Sequence, residues 1–178
     1  MLVRQSGQPL AQRVLTHLWL GLLLLVLWLG WASPTAAATH TYHERPGQTT
    51  YRSQQSLRDR SDLAWQATLF KRYSAGNLEG IYLRLVGFPG VTQVAPGQPL
   101  KINTGTGLTW QAAPLLDLQT PALPDNVGQY DFQPVLADLK GAVPLELEVP
   151  LRRGTARLAV APFVVEEWCQ LKDWQVSP

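Results

Sequence analysis

Two stretches of alternating side chains constrain the fold most strongly, and the clearer of them lies near the C-terminus. Residues 145–151 carry apolar side chains at every second position, with Glu146 and Glu148 among the residues between them. The chain then turns at residues 152–154, and the alternation resumes over residues 155–160. A period of two places the apolar side chains on one face of an extended strand. The segment therefore predicts a β-hairpin with one buried face.

A second hairpin is predicted upstream of the first. Apolar side chains alternate over residues 63–70 and again over residues 81–86, with a turn at residues 74–77. Short extended segments bounded by Gly and Pro account for the other strands, among them a polar one over residues 51–58. The predicted fold is mainly β: an antiparallel sandwich or small barrel of about seven strands, with a C-terminal helix packed on it.

Two helices and one long loop complete the predicted fold. A short helix is expected over residues 134–139, because Pro lies near its start and Gly just past its end. Residues 113–131 are rich in proline and turn formers, which predicts a surface loop. A terminal helix is predicted over residues 163–173. Its apolar stripe at helical spacing consists of Val164, Val165, Trp168 and Leu171.

The N-terminus has the three regions of a secretory signal peptide. Arg4 and Arg13 precede an apolar run, Leu18–Ala32, which has 15 residues and is short for a membrane span. Ala36–Ala38 then supplies the small side chains that a signal peptidase accepts. The pattern predicts a signal peptide over residues 1–38 and export to the periplasm or the thylakoid lumen. An uncleaved leader is the alternative, and it would be the chain's only contact with a membrane.

The predicted mature chain is neutral and has a single domain. Removing residues 1–38 removes two arginines and leaves 13 basic and 13 acidic residues. Zero formal charge gives no indication of a nucleic acid partner. A polar N-terminal arm is expected over residues 39–48, followed by one β-rich domain over residues 49–178.

The sequence contains no catalytic, cofactor or metal motif with adequate spacing. His40 and His43 lack the third and fourth ligands that a metal site needs. Gly105–Gly107 lacks the third glycine and the following helix of a dinucleotide fingerprint. Cys169, the only cysteine, lies beside the apolar stripe of the terminal helix and is expected to be a buried, inert thiol. We therefore predict a protein that is not an enzyme and has no cofactor or metal.

The polar strand suggests a surface for a protein partner. Tyr51, Arg52, Arg58 and Arg60 combine the two side-chain types that interfaces favour. An edge strand with these residues would also offer backbone groups for strand addition. A charged, solvent-facing strand, with Asp59 and Asp62 nearby, is an equally good interpretation of the same residues.

A second functional hypothesis is a small-molecule carrier. In that hypothesis the ligand lies in the mouth of a barrel lined by Trp65, Phe70, Tyr82 or Trp110. A deep apolar cavity would favour this class, and a filled core with an exposed aromatic patch would favour partner binding. An enzyme of unrecognised type is the third hypothesis, and it would require polar groups that converge in a cleft.

The mature chain contains several distinctive strings, namely His43–Gln48, Tyr51–Asp59, Trp65–Gln66, Leu69–Arg72, Leu83–Gly90 and Pro162–Trp168. Together they resemble a family of small exported cyanobacterial proteins known as domain of unknown function 3122. The resemblance covers essentially the whole mature chain and implies an organism with thylakoids, but it implies no activity and no site residues. Together with the absence of catalytic motifs, it favours a non-enzymatic accessory factor of photosynthetic membrane complexes.

Overall fold

The computed structural model describes residues 47–115 and 123–174 in full and the backbone of residues 40–45. The predicted signal peptide lies outside the described residues. Nine strands and two helices are present in this part of the chain. They are β1 (His40–Arg45), β2 (Gln48–Arg58), β3 (Ala64–Ser74), β4 (Asn77–Val86), β5 (Leu100–Thr104), β6 (Thr109–Ala112), β7 (Val127–Asp131), α1 (Gln133–Asp138), β8 (Leu145–Pro150), β9 (Thr155–Val160) and α2 (Pro162–Asp173).

The strands form two antiparallel sheets in a sandwich-like arrangement, which confirms the predicted fold class. The five-stranded sheet has the order β1-β2-β3-β4-β7, and the four-stranded sheet has the order β6-β5-β8-β9. Isolated bridges join the two sheets at Asp59–Leu158 and Pro114–Tyr130. Both predicted hairpins are confirmed, as β3–β4 and β8–β9. The strands do not form a closed barrel, so the sandwich was the correct alternative.

Alternation along β2, β3 and β4 separates two faces of the five-stranded sheet. Odd-numbered side chains, such as Trp65, Leu69 and Leu83, point into the shared core. Even-numbered side chains, such as Gln66 and Arg84, lie on the opposite face, which we call the outer face. In all three strands every second residue therefore faces the core, as the pleat of a sheet requires.

Helix α2 packs on the inner face of the five-stranded sheet. The helix starts at Pro162, which fits the first helical position because it has no N–H to leave unpaired. Its predicted stripe is buried, and the Trp168 ring meets Phe132 edge to face with 5.5 Å between ring centroids. Helix α1 lies close to α2 and β6. The predicted terminal helix is therefore confirmed as part of the core.

Two predicted irregular segments contain strands. Residues 127–131, assigned to the loop 113–131, form β7 and pair with β4. The loop prediction was wrong there because the proline-rich flank dominated the pattern, whereas tertiary pairing with β4 determines the strand. Residues 40–45 form β1 and pair with β2, within the stretch predicted to be an arm.

Candidate binding face

The outer face of the five-stranded sheet carries an unusual set of side chains. Both described helices pack on the inner side: α2, for example, contacts β2 through Gln55 and β3 through Lys71. The outer face thus presents polar, cationic and aromatic groups in cross-strand rows set by the register. Its side chains on β2, β3 and β4 include Thr50, Arg52, Gln54, Ser56, Arg58, Ala64, Gln66, Thr68, Phe70, Arg72, Tyr82, Arg84 and Val86.

Phe70 lies at the centre of a guanidinium–aromatic cluster, which we define as Phe70, Arg72, Tyr82 and Arg84. Although it points away from the core, Phe70 is only 5% exposed. The guanidinium carbons of Arg72 and Arg84 lie 5.3 and 5.5 Å from the centroid of its ring. Tyr82, its direct cross-strand neighbour, has its ring centroid 5.5 Å away. Both arginines are within cation–π range of one ring, which restricts their orientation.

The charges around this cluster are distributed unevenly. Arg84 donates two hydrogen bonds, of 3.0 and 2.7 Å, to the neutral amide oxygen of Gln129 on β7. Arg72 approaches the Glu79 carboxylate at 3.9 Å, beyond hydrogen-bond distance, and its buried Nε has no hydrogen-bond partner. Asp131 lies opposite Tyr82 at the β7 side of the sheet. The carboxylates therefore lie toward the margin of the face, and the cations lie over its centre.

Tyr82 is affected by both kinds of charge. Its hydroxyl donates to the backbone carbonyl of Glu79 at 3.0 Å. Partial burial raises the pKa of Tyr82, and the carboxylates of Asp131 and Glu79 raise it further, while Arg72 opposes them. The phenol therefore stays neutral and offers a polar edge within the cluster.

A groove of about 470 Å³ opens beside the cluster, at the end of the face where β4 leads into the next loop. None of its lining residues carries a charge, and the wall combines amide, hydroxyl and apolar groups. The residues are Gln54, Gln55, Ser56, Ala64, Trp65, Gln66, Val86, Gly87, Phe88 and Pro89.

The structure does not bring the four predicted partner-binding residues together. Tyr51 points inward and packs edge to face against Tyr73 and Trp174. Arg52 lies on the outer face, directly opposite Phe70. The other two predicted residues take part in exposed ion pairs near the end of β2. Arg58 contacts Asp62 at 3.1 Å, and Arg60 contacts Glu146 at 2.7 Å.

β2 is an interior strand only where β1 reaches it. It pairs with β3 along residues 48–58 and with β1 along residues 48–52. Strand addition is therefore excluded at Tyr51 and Arg52, whose backbone groups lie between two paired strands. Among the described strands, residues 53–58 of the predicted segment pair with β3 alone, so the suggestion of strand addition stays a prediction there.

The residues proposed for a carrier mouth do not line a common cavity. Trp65 is buried in the core, whereas Phe70 and Tyr82 lie on the outer face of the same sheet. Trp110 belongs to the four-stranded sheet and is half-buried against the core. The alternation of the pleat separates side chains that composition alone had grouped together.

The other sequence candidates lie away from this face. Within the described residues, no three or more His, Cys, Asp or Glu side chains group in a way that could hold a metal ion. Gly105–Gly107 forms the turn between β5 and β6. Cys169 is half-buried on α2, and burial raises the pKa of its thiol, which disfavours the reactive thiolate. No helix in the described ranges is long and apolar enough to cross a membrane.

The cluster was not predicted, although the sequence carries a signal for it. Phe70 and Arg72 share one parity on β3, and Tyr82 and Arg84 share the matching parity on β4. The alternation that predicts this hairpin already separates its core face from its polar face. The polar face of the predicted hairpin therefore contains two arginines and two aromatic residues close together.

The fold and the face define the class of protein first: an antiparallel β-sandwich whose helices pack on one side of the larger sheet, with a cationic–aromatic surface on the other. The comparisons then identify the family. A family model described as "Protein of unknown function (DUF3122)" matches residues 37–171, and the chain belongs to that family. No curated protein and no solved structure matches the chain.

Proposed function

We propose that this chain is a non-enzymatic binding protein that holds a protein partner against the outer face of its five-stranded sheet. The observation that carries the proposal is the guanidinium–aromatic cluster, in which Arg72 and Arg84 both lie over Phe70. Interfaces are enriched in arginine and aromatic side chains, and their hot spots are rich in Arg and Tyr. Arginines restricted by an aromatic ring lose less side-chain freedom when a partner binds.

Mixed charge on the face favours a specific partner over a general polyanion. Four arginines lie on the outer face, at positions 52, 58, 72 and 84, with Glu79 and Asp131 toward its margin. A partner would complement this pattern if its carboxylates lie over the centre of the face and not over the acidic margin. Complementary charges across an interface contribute specificity and association rate more than affinity.

We place the protein outside the cytoplasm, in the periplasm or the thylakoid lumen. The charged, apolar and small-residue regions of the N-terminus support this, as signal peptides share that order. Natively purified protein should have the intact mass of a chain that starts at Thr39. A mass that includes Met1 would indicate an uncleaved membrane anchor and would contradict the proposed export.

We further propose an accessory role at photosynthetic membrane complexes. The proposal is supported by the resemblance of the mature chain to exported cyanobacterial proteins. An exported protein of such a cell enters the periplasm or the thylakoid lumen, and the lumen borders the photosynthetic membrane. The expected partner is therefore a membrane complex with a domain that faces the lumen or periplasm. Fractionation of native membranes should place the protein with these complexes, whereas a purely soluble distribution would contradict this role.

Affinity capture from native membranes tests the binding face when variants are compared. We expect Arg72→Gln combined with Arg84→Gln to abolish co-purification of the partner that the wild-type protein captures. The matched control is Lys101→Gln combined with Arg153→Gln, which removes the same charge from exposed positions on and beside the four-stranded sheet. Equal capture by both double variants would show that the binding surface lies elsewhere.

A further inference from the structure

We propose that the groove beside the cluster takes an extended peptide segment of the partner, with an apolar side chain two residues from a carboxylate. This inference rests on the proposed function and adds the chemistry of the partner's contact segment. The occupant follows from three features of the groove: free amide and hydroxyl groups, a fixed apolar wall and a neighbouring guanidinium group.

The floor of the groove offers hydrogen-bonding groups that a peptide backbone can use. Gln54, Ser56 and Gln66 are exposed on the outer face and line the groove. Within the described residues, their side chains make no hydrogen bond to another group of the protein. Amides and hydroxyls both donate and accept, so they match the alternating N–H and C=O groups of an extended chain.

The wall of the groove is apolar and well anchored. Phe88 is 53% exposed, which is high for a large apolar side chain, and it stands beside Val86. The loop that carries it is tied to the following segment, because the buried Asn126 amide donates to the Gly87 carbonyl at 2.8 Å. The Gly87 N–H donates in return to the Asn126 carbonyl at 2.9 Å. A restrained, exposed ring is a suitable contact for an apolar side chain.

Arg84 lies one pleat repeat away from this wall along β4. Arg84 and Val86 are on the same face of β4, two residues apart, which is about 7 Å along a strand. A peptide that runs along the strand has the same repeat, so side chains two residues apart can reach both positions. The charge of Arg84 selects a carboxylate at the second position.

The same features favour a peptide over a saccharide. Sugars also stack on exposed aromatic rings and bind amides, but they lack an apolar side chain to fill the space between Val86 and Phe88. The uncharged lining together with a cation at one end instead matches alternating apolar and acidic side chains. Extended peptides recognised in this way gain specificity from pockets for alternate side chains.

A displayed library of random peptides, selected on the purified protein and sequenced, tests the inference. We expect enrichment of peptides in which Leu, Ile, Val or Phe lies two residues from Asp or Glu. Phe88→Ser should remove the apolar preference and weaken binding of an enriched peptide about tenfold or more. Arg84→Gln should remove the acidic preference but keep the apolar one.

The control variant is Phe163→Ser, which removes a phenylalanine from α2 that is even more exposed than Phe88 and should leave the selection unchanged. Thermal unfolding of each variant confirms that it is folded. Selection of no motif, or of a motif that survives Phe88→Ser, would overturn the inference. Binding on a saccharide array that depends on Phe88 would also overturn it, in favour of a glycan.

The outcome can be separated from that of the proposed function. If Phe88→Ser leaves capture of the native partner intact while the Arg72 and Arg84 double variant abolishes it, the groove inference is wrong and the binding face stands. If neither variant affects capture, both are wrong.

Discussion

The two faces of the five-stranded sheet use the same strands for different purposes. Lys71 and Arg72 are neighbours on β3, yet their side chains project to opposite sides. Lys71 is 4% exposed and points into the core, where its ammonium group is used structurally. Arg72 lies over Phe70 on the outer face. A single step along a pleated strand thus separates a cation that holds helix α2 from one that lies on the outer face.

The inner face uses its polar groups to hold helix α2. The Lys71 ammonium donates to the carbonyls of Lys172 and Trp174 at 2.5 and 2.6 Å, at the C-terminal end of the helix. The last carbonyls of a helix lack partners within it and attract positive charge. Gln55 donates to the Glu167 carboxylate at 2.9 Å further along the helix.

The contacts of the guanidinium–aromatic cluster stay within the five-stranded sheet. Arg72 and Arg84 lie over Phe70, and Arg84 also donates to Gln129 on β7. The difference between the faces predicts that substitutions on the inner face reduce stability, whereas those on the outer face reduce binding. The following predictions are ordered by their expected effect on stability.

Trp168→Ala should have the largest effect. The ring is fully buried where α2 meets the core and contacts Phe132. Large-to-small substitutions of this kind cost about 3–5 kcal/mol in the free energy of unfolding. Chemical denaturation measures the change. A loss below about 1 kcal/mol would show that α2 is peripheral and that the inner face does not need it.

Lys71→Met should come next. The substitution keeps most of the side-chain volume but removes the ammonium donor from the Lys172 and Trp174 carbonyls. The Trp174 carbonyl keeps a second donor, the Tyr73 hydroxyl at 3.2 Å. Hydrogen bonds from a charged group contribute about 1.5–3 kcal/mol, so we expect a loss of about 2 kcal/mol. Lys101→Met, at an exposed position on the four-stranded sheet, is the control and should change stability by about 0.5 kcal/mol or less. Equal effects of the two substitutions would refute a structural role for Lys71.

Tyr130 on β7 should give the inner face a pH dependence. Burial raises the pKa of Tyr130 from 10.0 to about 12. Because the pKa is higher in the folded state, the neutral phenol favours folding below pH 10, and this contribution is lost as the pH rises through 12. The loss is about 1.4 kcal/mol at pH 11.

Tyr130→Phe isolates this effect. The buried hydroxyl has no hydrogen-bond partner, so its removal leaves no other group unpaired. Stability curves of the variant and the wild type should run parallel below pH 10, with the variant the more stable because it buries no unpaired hydroxyl, and the gap should widen above pH 10. Parallel curves up to pH 12 would contradict the burial of this phenol.

Arg72→Gln should have the smallest effect on stability. Its guanidinium makes a partly exposed cation–π contact, which contributes about 0.5–1 kcal/mol, so the substitution should cost no more than that in the free energy of unfolding. A larger loss, measured by the same denaturation experiment, would mean that the outer face is also structural. The contrast between the two faces would then fail.

The fold was more predictable from the sequence than the binding face, for a physical reason. Alternation marks a half-buried strand directly, so β3–β4 and β8–β9 were predicted correctly. β1 was not predicted because it is polar, and β7 was not predicted because it contains Gly128 and follows a proline-rich segment. Both strands form because a neighbouring strand pairs with them. Arg60 was selected from its local sequence, but its ionic partner Glu146 is 86 residues away and was not visible there.

The binding face depends on cross-strand register, which the sequence specifies only indirectly. Arg72 and Arg84 are twelve positions apart in the chain, and both lie over Phe70 only because β3 pairs with β4 in one particular register. Tyr51 was expected to share a surface with Arg52, but neighbouring residues of a strand lie on opposite faces. Arg and aromatic side chains do occur on the outer face. Odd or even position along the strand determines which of them lie there.

Site-specific photo-crosslinking tests the binding face most directly. A benzophenone amino acid placed at Gln66 probes the outer face of the five-stranded sheet, and one at Gln111 probes the equivalent face of the four-stranded sheet. Both positions are exposed glutamines, so the two probes are matched. Irradiation in native membranes should cross-link the partner from Gln66 and not from Gln111. Cross-linking from Gln111 alone, from both positions equally, or from neither would contradict the account.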